Sequence, residues 1–139
     1  MLLIICSCQK EISKDINKSP FGIVVKFITA ESFMDTTEAK KYINLERVYN
    51  KYIDKENTSS QKVWEGKLMF SYNLSRDKKF TNHFGFYEYE FKETINNSKS
   101  SILFTDKNKK AGIESIEYLL ELDGLGNWII VDIIPKKRN

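Results

Sequence analysis

The apolar residues of this chain change their period partway along it, and that change decides the fold class. Up to about residue 75 they recur every three to four positions, as on one face of a helix. From residue 84 onward they alternate with polar residues, as on a strand. Helices first and consecutive strands last define an α+β domain, with the helices packed on one face of a four-stranded antiparallel meander.

The helical half opens at Ser19-Pro20. Ser can accept a hydrogen bond from the first turn, and Pro lacks the N–H that would be orphaned there. Ile23, Val24, Phe27, Ile28 and Ala30 follow at helical spacing, and Gly22 weakens the first turn only. Asp35 and Glu38 stand in capping-box register for a second helix with Ala39, Tyr42 and Ile43 on its apolar face. Leu45, Val48, Tyr49 and Tyr52 predict a third short helix over 44–54, and the polar run 55–60 offers Ser59 or Ser60 as the next N-cap. Over 61–75 two patterns compete. Trp64, Leu68 and Tyr72 fall on one helical stripe, while Leu68, Phe70, Tyr72 and Leu74 alternate as in a strand; the length of the run favours a helix.

Strands are predicted over 84–92, 101–105, 116–122 and 128–134. Tyr87, Tyr89 and Phe91 share one face of the first, and Phe84 and Phe86 point the other way unless a bulge realigns them. Residues 96–98 are turn chemistry. Ile116, Tyr118, Leu120 and Leu122 share a face of the third strand, the hairpin 123–127 contains two glycines able to take positive φ, and Pro135 is expected to stop the fourth strand. Trp128 is expected to be buried where that strand meets the helices.

The N-terminus carries an address. Met1 to Ser7 is an apolar run ending in a small residue, and Cys8 follows as the residue to be lipidated, as in a lipoprotein signal peptide. The run is shorter than the roughly 7–15 residues of a usual apolar region and lacks basic residues before it, so a start further upstream is expected. This gives four segments: a signal remnant with its lipobox at 1–8, a flexible polar tether at 9–18, a folded domain at 19–135 and a basic tail at 136–139. Gln9 after the cysteine resembles outer-membrane sorting, and Gln9-Lys10-Glu11 is similar to surface-export signals of some Gram-negative lineages. The expected location is therefore the bacterial envelope, with the membrane as partner through Cys8.

Composition narrows the rest. With both cysteines in the signal segment, the domain relies on its core alone, and 41% hydrophobic and 13% aromatic content in 139 residues is enough for one. Cys6 and Cys8 stand too close to bridge readily, and the single His83 leaves too few ligands for a metal site. The net charge of +3, from 22 basic and 19 acidic residues, is weak. The basic clusters at 107–110 and 136–138 read as a hairpin tip and a solvated tail, without the aromatic platform of a nucleic-acid binder. No nucleic-acid partner and no cofactor is expected, since no phosphate loop or nucleophile elbow occurs.

Ser19-Pro20 followed by Val24-Val25-Lys26-Phe27-Ile28-Thr29-Ala30, the acidic break at Asp35, and Ala39 to Ile43 resemble the opening of nuclear transport factor 2-like (cystatin-like) domains. The closing Gly126-Asn127-Trp128-Ile129-Ile130-Val131 is similar to their last strand. The resemblance is closest to small bacterial envelope lipoproteins of unknown function. It implies a curved sheet wrapped around a helix into a cone, open as a pocket in members similar to ketosteroid isomerases and polyketide cyclases, where a carboxylate or His–Asp pair moves a proton. Proton-transfer candidates here are His83, Asp77, Asp132 and the tyrosines Tyr72, Tyr87, Tyr89 and Tyr118. The candidate pocket lining is Tyr72, His83, Tyr87, Tyr89, Tyr118 and Trp128, suited to an apolar small molecule, with core packing as the competing reading. His83 sits in a polar Thr-Asn-His context with no acid at a pairing distance in sequence, so no catalytic residue is assigned and an exposed imidazole is expected. In such domains the second sheet face is a common dimer surface, and Ile129, Val131 and Ile133 would occupy it. The expected function is a non-catalytic binding or protein-interaction domain on a lipid anchor. The alternatives are a small isomerase- or dehydratase-like enzyme using His83 and a carboxylate, or a toxin-neutralising immunity lipoprotein.

Overall fold

A computed structural model describes residues 18–76, 89–109 and 112–139, apart from the side chains of 74–76. Helix α1 (Pro20–Ser32) begins where Ser19 leaves the extended region, and its Oγ accepts from the Gly22 N–H at 3.0 Å. The predicted stripe is the buried one: Ile23, Val24, Phe27, Ile28 and Ala30. The chain reverses after α1 through Met34, which takes φ 57°. Asp35 then caps α2 (Thr36–Ala39), accepting from the Glu38 N–H at 3.0 Å. Only half of the capping box forms, because the Glu38 carboxylate turns instead to Lys41 and the Tyr42 hydroxyl.

A 3₁₀ turn (Lys40–Tyr42) leads to α3 (Leu45–Tyr49), capped by Asn44, whose Oδ1 accepts from the Arg47 N–H at 3.1 Å. A second 3₁₀ turn (Asn50–Tyr52) follows. The ambiguous stretch is helical: α4 spans Ser60–Arg76, with the Ser59 Oγ accepting from the Lys62 N–H at 3.2 Å. Trp64 and Leu68 are buried, whereas Tyr72 on the same stripe is 42% exposed.

The strands are β1 (Tyr89–Asn96), β2 (Lys99–Asp106), β3 (Ile113–Leu122) and β4 (Trp128–Lys137), antiparallel in the order β1-β2-β3-β4. Among the described residues this makes an open sheet of four strands with four helices, the α+β class expected. Ile102 and Phe104 of β2, Tyr118 and Leu120 of β3, and Ile130 and Ile133 of β4 join the α1, α3 and α4 residues in one core. The turn Asn97-Ser98 holds Asn97 at φ 55°, and in the 123–127 hairpin only Gly126 has positive φ, at 80°. Asp123 braces that hairpin, its Oδ1 accepting from the N–H groups of Leu125 and Asn127.

Three expectations about β4 are corrected. Pro135 does not end it: the strand runs on to Lys137, with Pro135 opposite Ile116. At this edge of the sheet a missing N–H on the outer side breaks no ladder bond. The residues read as a basic tail therefore begin inside the strand. Ile133 is not on the second face, because the register shifts between the Leu119–Asp132 and Leu120–Ile130 pairs. The extra residue in β4 lets Ile130 and Ile133 both point into the core, where strict alternation would have separated them. Trp128 is only partly buried, packed on the rim of the core, and the tryptophan with no exposure is Trp64.

The outer edge of β4 is met by the chain at Ile130. Ile43 bridges Ile130 in parallel, and the Asn44 N–H donates to the Ile130 carbonyl at 2.9 Å, so the link from α2 to α3 lies along it.

Candidate functional site

Helical spacing places Glu31 one turn beyond Phe27 and two beyond Val24, on the buried stripe of α1. The Trp64 indole N–H, coming from α4, donates to Glu31 Oε2 at 2.8 Å. Burial pushes the Glu31 carboxyl up to about 7, against the opposing pull of the Trp64 hydrogen bond and the Lys67 charge. Two phenols lie within its electrostatic reach. Burial pushes the pKa of Tyr49 and Tyr118 above the ordinary phenol value, and the nearby Glu31 charge pushes both further, so both stay protonated. Tyr89 adds to the effect on Tyr118. The result is an acid poised near neutrality between an indole donor and tyrosines. It sits within close packing, since Trp64 is fully buried and Tyr118 packs edge-on against Phe104 at 5.9 Å.

A second feature is open. A groove of about 370 Å³ lies where α3 and its following turn meet β3 and β4, with Leu119 and Val131 among its apolar lining and Arg47, Lys51, Lys99, Glu121 and Asp132 as its charges. Arg47 donates to both Glu121 oxygens, at 2.6 and 3.3 Å, and holds that carboxyl below the usual glutamate range. Lys51 pairs with Asp132 at 3.0 Å. These exposed pairs add little stability in water. They do present oriented charge beside apolar surface.

Of the residues singled out from the sequence, Tyr118 comes within electrostatic reach of Glu31 and of Tyr89. Trp128 flanks the core, Tyr72 lies exposed, and Asp132 belongs to the groove. Cys8, Asp77, His83 and Tyr87 lie outside the described residues. Sequence reasoning missed Glu31, although an acid on the apolar stripe of α1 was a visible signal. It also missed Arg47, Lys51 and Glu121, whose pairing spans more than seventy positions and left no periodic trace. Among the described residues no group of three or more His, Cys, Asp or Glu side chains could hold a metal ion, and no helix is long and apolar enough to cross a membrane. No protein-family model, curated protein or solved structure matches the chain.

Proposed function

We propose that this chain is a lipid-anchored protein of the bacterial envelope, attached through Cys8, whose cystatin-like, nuclear transport factor 2-like domain works by binding a protein at its surface. The observation that carries this reading is the close packing between helices and sheet among the described residues. Trp64, Phe27, Ile102, Leu120 and Ile130 are each under 2% exposed, and they occupy the interior that a pocket enzyme of this shape would keep open. Among the described residues an open concavity lies beside α3. Its three cations outnumber its two carboxylates and sit next to Leu119 and Val131, which suits a protein segment carrying acidic and apolar side chains. The enzyme alternative built on His83 draws on the resemblance alone.

Two measurements test the parts separately. Metabolic labelling with a palmitate analogue should mark the protein in its native cells and fail on Cys8→Ala; equal labelling of both sinks the anchor. A photo-crosslinking residue at Leu119 should capture a protein in intact cells, and Arg47→Glu with Lys51→Glu should abolish the adduct. Capture that persists unchanged in the charge-reversed protein sinks the groove as the binding site.

A further inference from the structure

The two edges of the sheet are treated differently by the fold. The link through Ile43 and Asn44 bridges the outer side of β4 at Ile130, whereas among the described residues no strand pairs with the outer side of β1. Residues 90–96 of β1 are all exposed, with Phe91 at 54% and Ile95 at 43%. An edge of this kind presents a row of N–H and C=O groups ready for another strand. Glu90 and Lys92 face no opposite charge directly across on β2, where they stand opposite Thr105 and Leu103.

We propose that a second copy of this chain adds its β1 antiparallel to this edge, about a two-fold axis at Phe91, so that two meanders become one continuous sheet. The charge pattern selects both the partner and the register. About such an axis, residues equally far on either side of the axis position face each other on the same side of the sheet. With the axis at Phe91, Glu90 opposes Lys92 of the second copy and Lys92 opposes its Glu90, giving two attractive cross-strand pairs. Moving the axis to Glu90, Lys92 or Glu93 sets two like charges against each other, and moving it to Thr94 leaves Lys92 opposite Asn96 with no attractive pair. On the helix side, Phe91 meets its own copy. Each Phe91 is already stacked on Phe21 at 4.1 Å and 19°, so the joint would close over four rings. Glu93 is tied back to α1, its carboxylate accepting from the Phe21 N–H at 3.1 Å, which fixes the helix beside the proposed seam. This edge is distinct from the groove and from the second sheet face, and does not depend on either.

The test uses the full chain with Cys6→Ser and Cys8→Ser, so that neither lipid nor a stray disulfide contributes. Sedimentation equilibrium should show a reversible dimer. Lys92→Glu or Glu90→Lys should each weaken it by about tenfold or more, and the double exchange Glu90→Lys with Lys92→Glu should restore it. Circular dichroism should be unchanged throughout, because both positions are exposed. In the same background Phe91→Cys should form a disulfide-linked dimer under mild oxidation, and Thr94→Cys should not. A protein that is monomeric at every concentration, a dimer indifferent to the single charge reversals, or linkage through Thr94→Cys in preference to Phe91→Cys would each overturn the proposal.

Discussion

Glu31 and Trp64 show how much rides on a single part-buried contact. Removing the Trp64 ring empties a fully enclosed site and strips a donor from a carboxyl group, so Trp64→Ala should cost on the order of 3–5 kcal/mol. Trp128→Ala should cost less, since that ring already meets water. Urea denaturation of the two variants checks the order, and reversal of it would contradict the packing described. Glu31 makes a prediction about pH. Its carboxyl titrates at about 7 in the fold against 4.5 for a free side chain, so the native state holds a proton that the unfolded chain releases. The stability tied to that proton is full below about pH 4.5 and is lost as pH rises through about 7. Relative to wild type, Glu31→Gln should therefore gain stability between pH 5 and pH 8, by on the order of 2–3 kcal/mol before allowance for partial solvent access. The comparison with Gln is needed because carboxyls held low by hydrogen bonds, such as Glu121 and Asp123, push the whole protein in the opposite sense. Parallel pH profiles for the two proteins would remove Glu31 as the source.

Among the elements, β4 and its hairpin depend on local backbone detail. Gly126 alone in the 123–127 loop has positive φ, and an L side chain there costs on the order of 1–2 kcal/mol. Gly126→Ala should therefore lower the urea midpoint, while Gly124→Ala, with open space around the added carbon, should leave it nearly unchanged. The bulge in β4 works by another route. One extra residue near Val131 changes which side chains face inward, and it converts an alternating strand into one with Ile130 and Ile133 on the same side.

Across the whole molecule, the last residues are tied into the sheet rather than left as a solvated tail. The Arg138 N–H donates to the Gly112 carbonyl at 2.9 Å, and its guanidinium donates to Asp106 at 3.0 Å. The Asp106 side chain is only 5% exposed and also accepts from the Asn108 N–H at 3.2 Å, so removing the guanidinium takes the opposite charge away from a buried carboxylate. Arg138→Ala should cost on the order of 1–3 kcal/mol, and adding Asp106→Asn should return part of that loss in a double-mutant cycle. Additive single effects would show that the two side chains do not act as a pair.

The amino-acid order by itself determined the α+β class, the antiparallel order of the strands, the Ser19 and Asp35 caps and the helical stripe from Ile23 to Ala30, because each of these is written in periods and end signals a few residues long. Its aromatic inventory also named Tyr118, though as a pocket lining rather than as a residue within electrostatic reach of Glu31. Only the tertiary structure decided that Glu31 meets Trp64, that Arg47 reaches Glu121, that Pro135 lies within an edge strand and that a register shift turns Ile133 inward. Those facts depend on which residues, dozens of positions apart, are brought together when helices close over a sheet. Short-range periodicity carries no information about such distances, and a one-residue slip in pairing reverses every face beyond it.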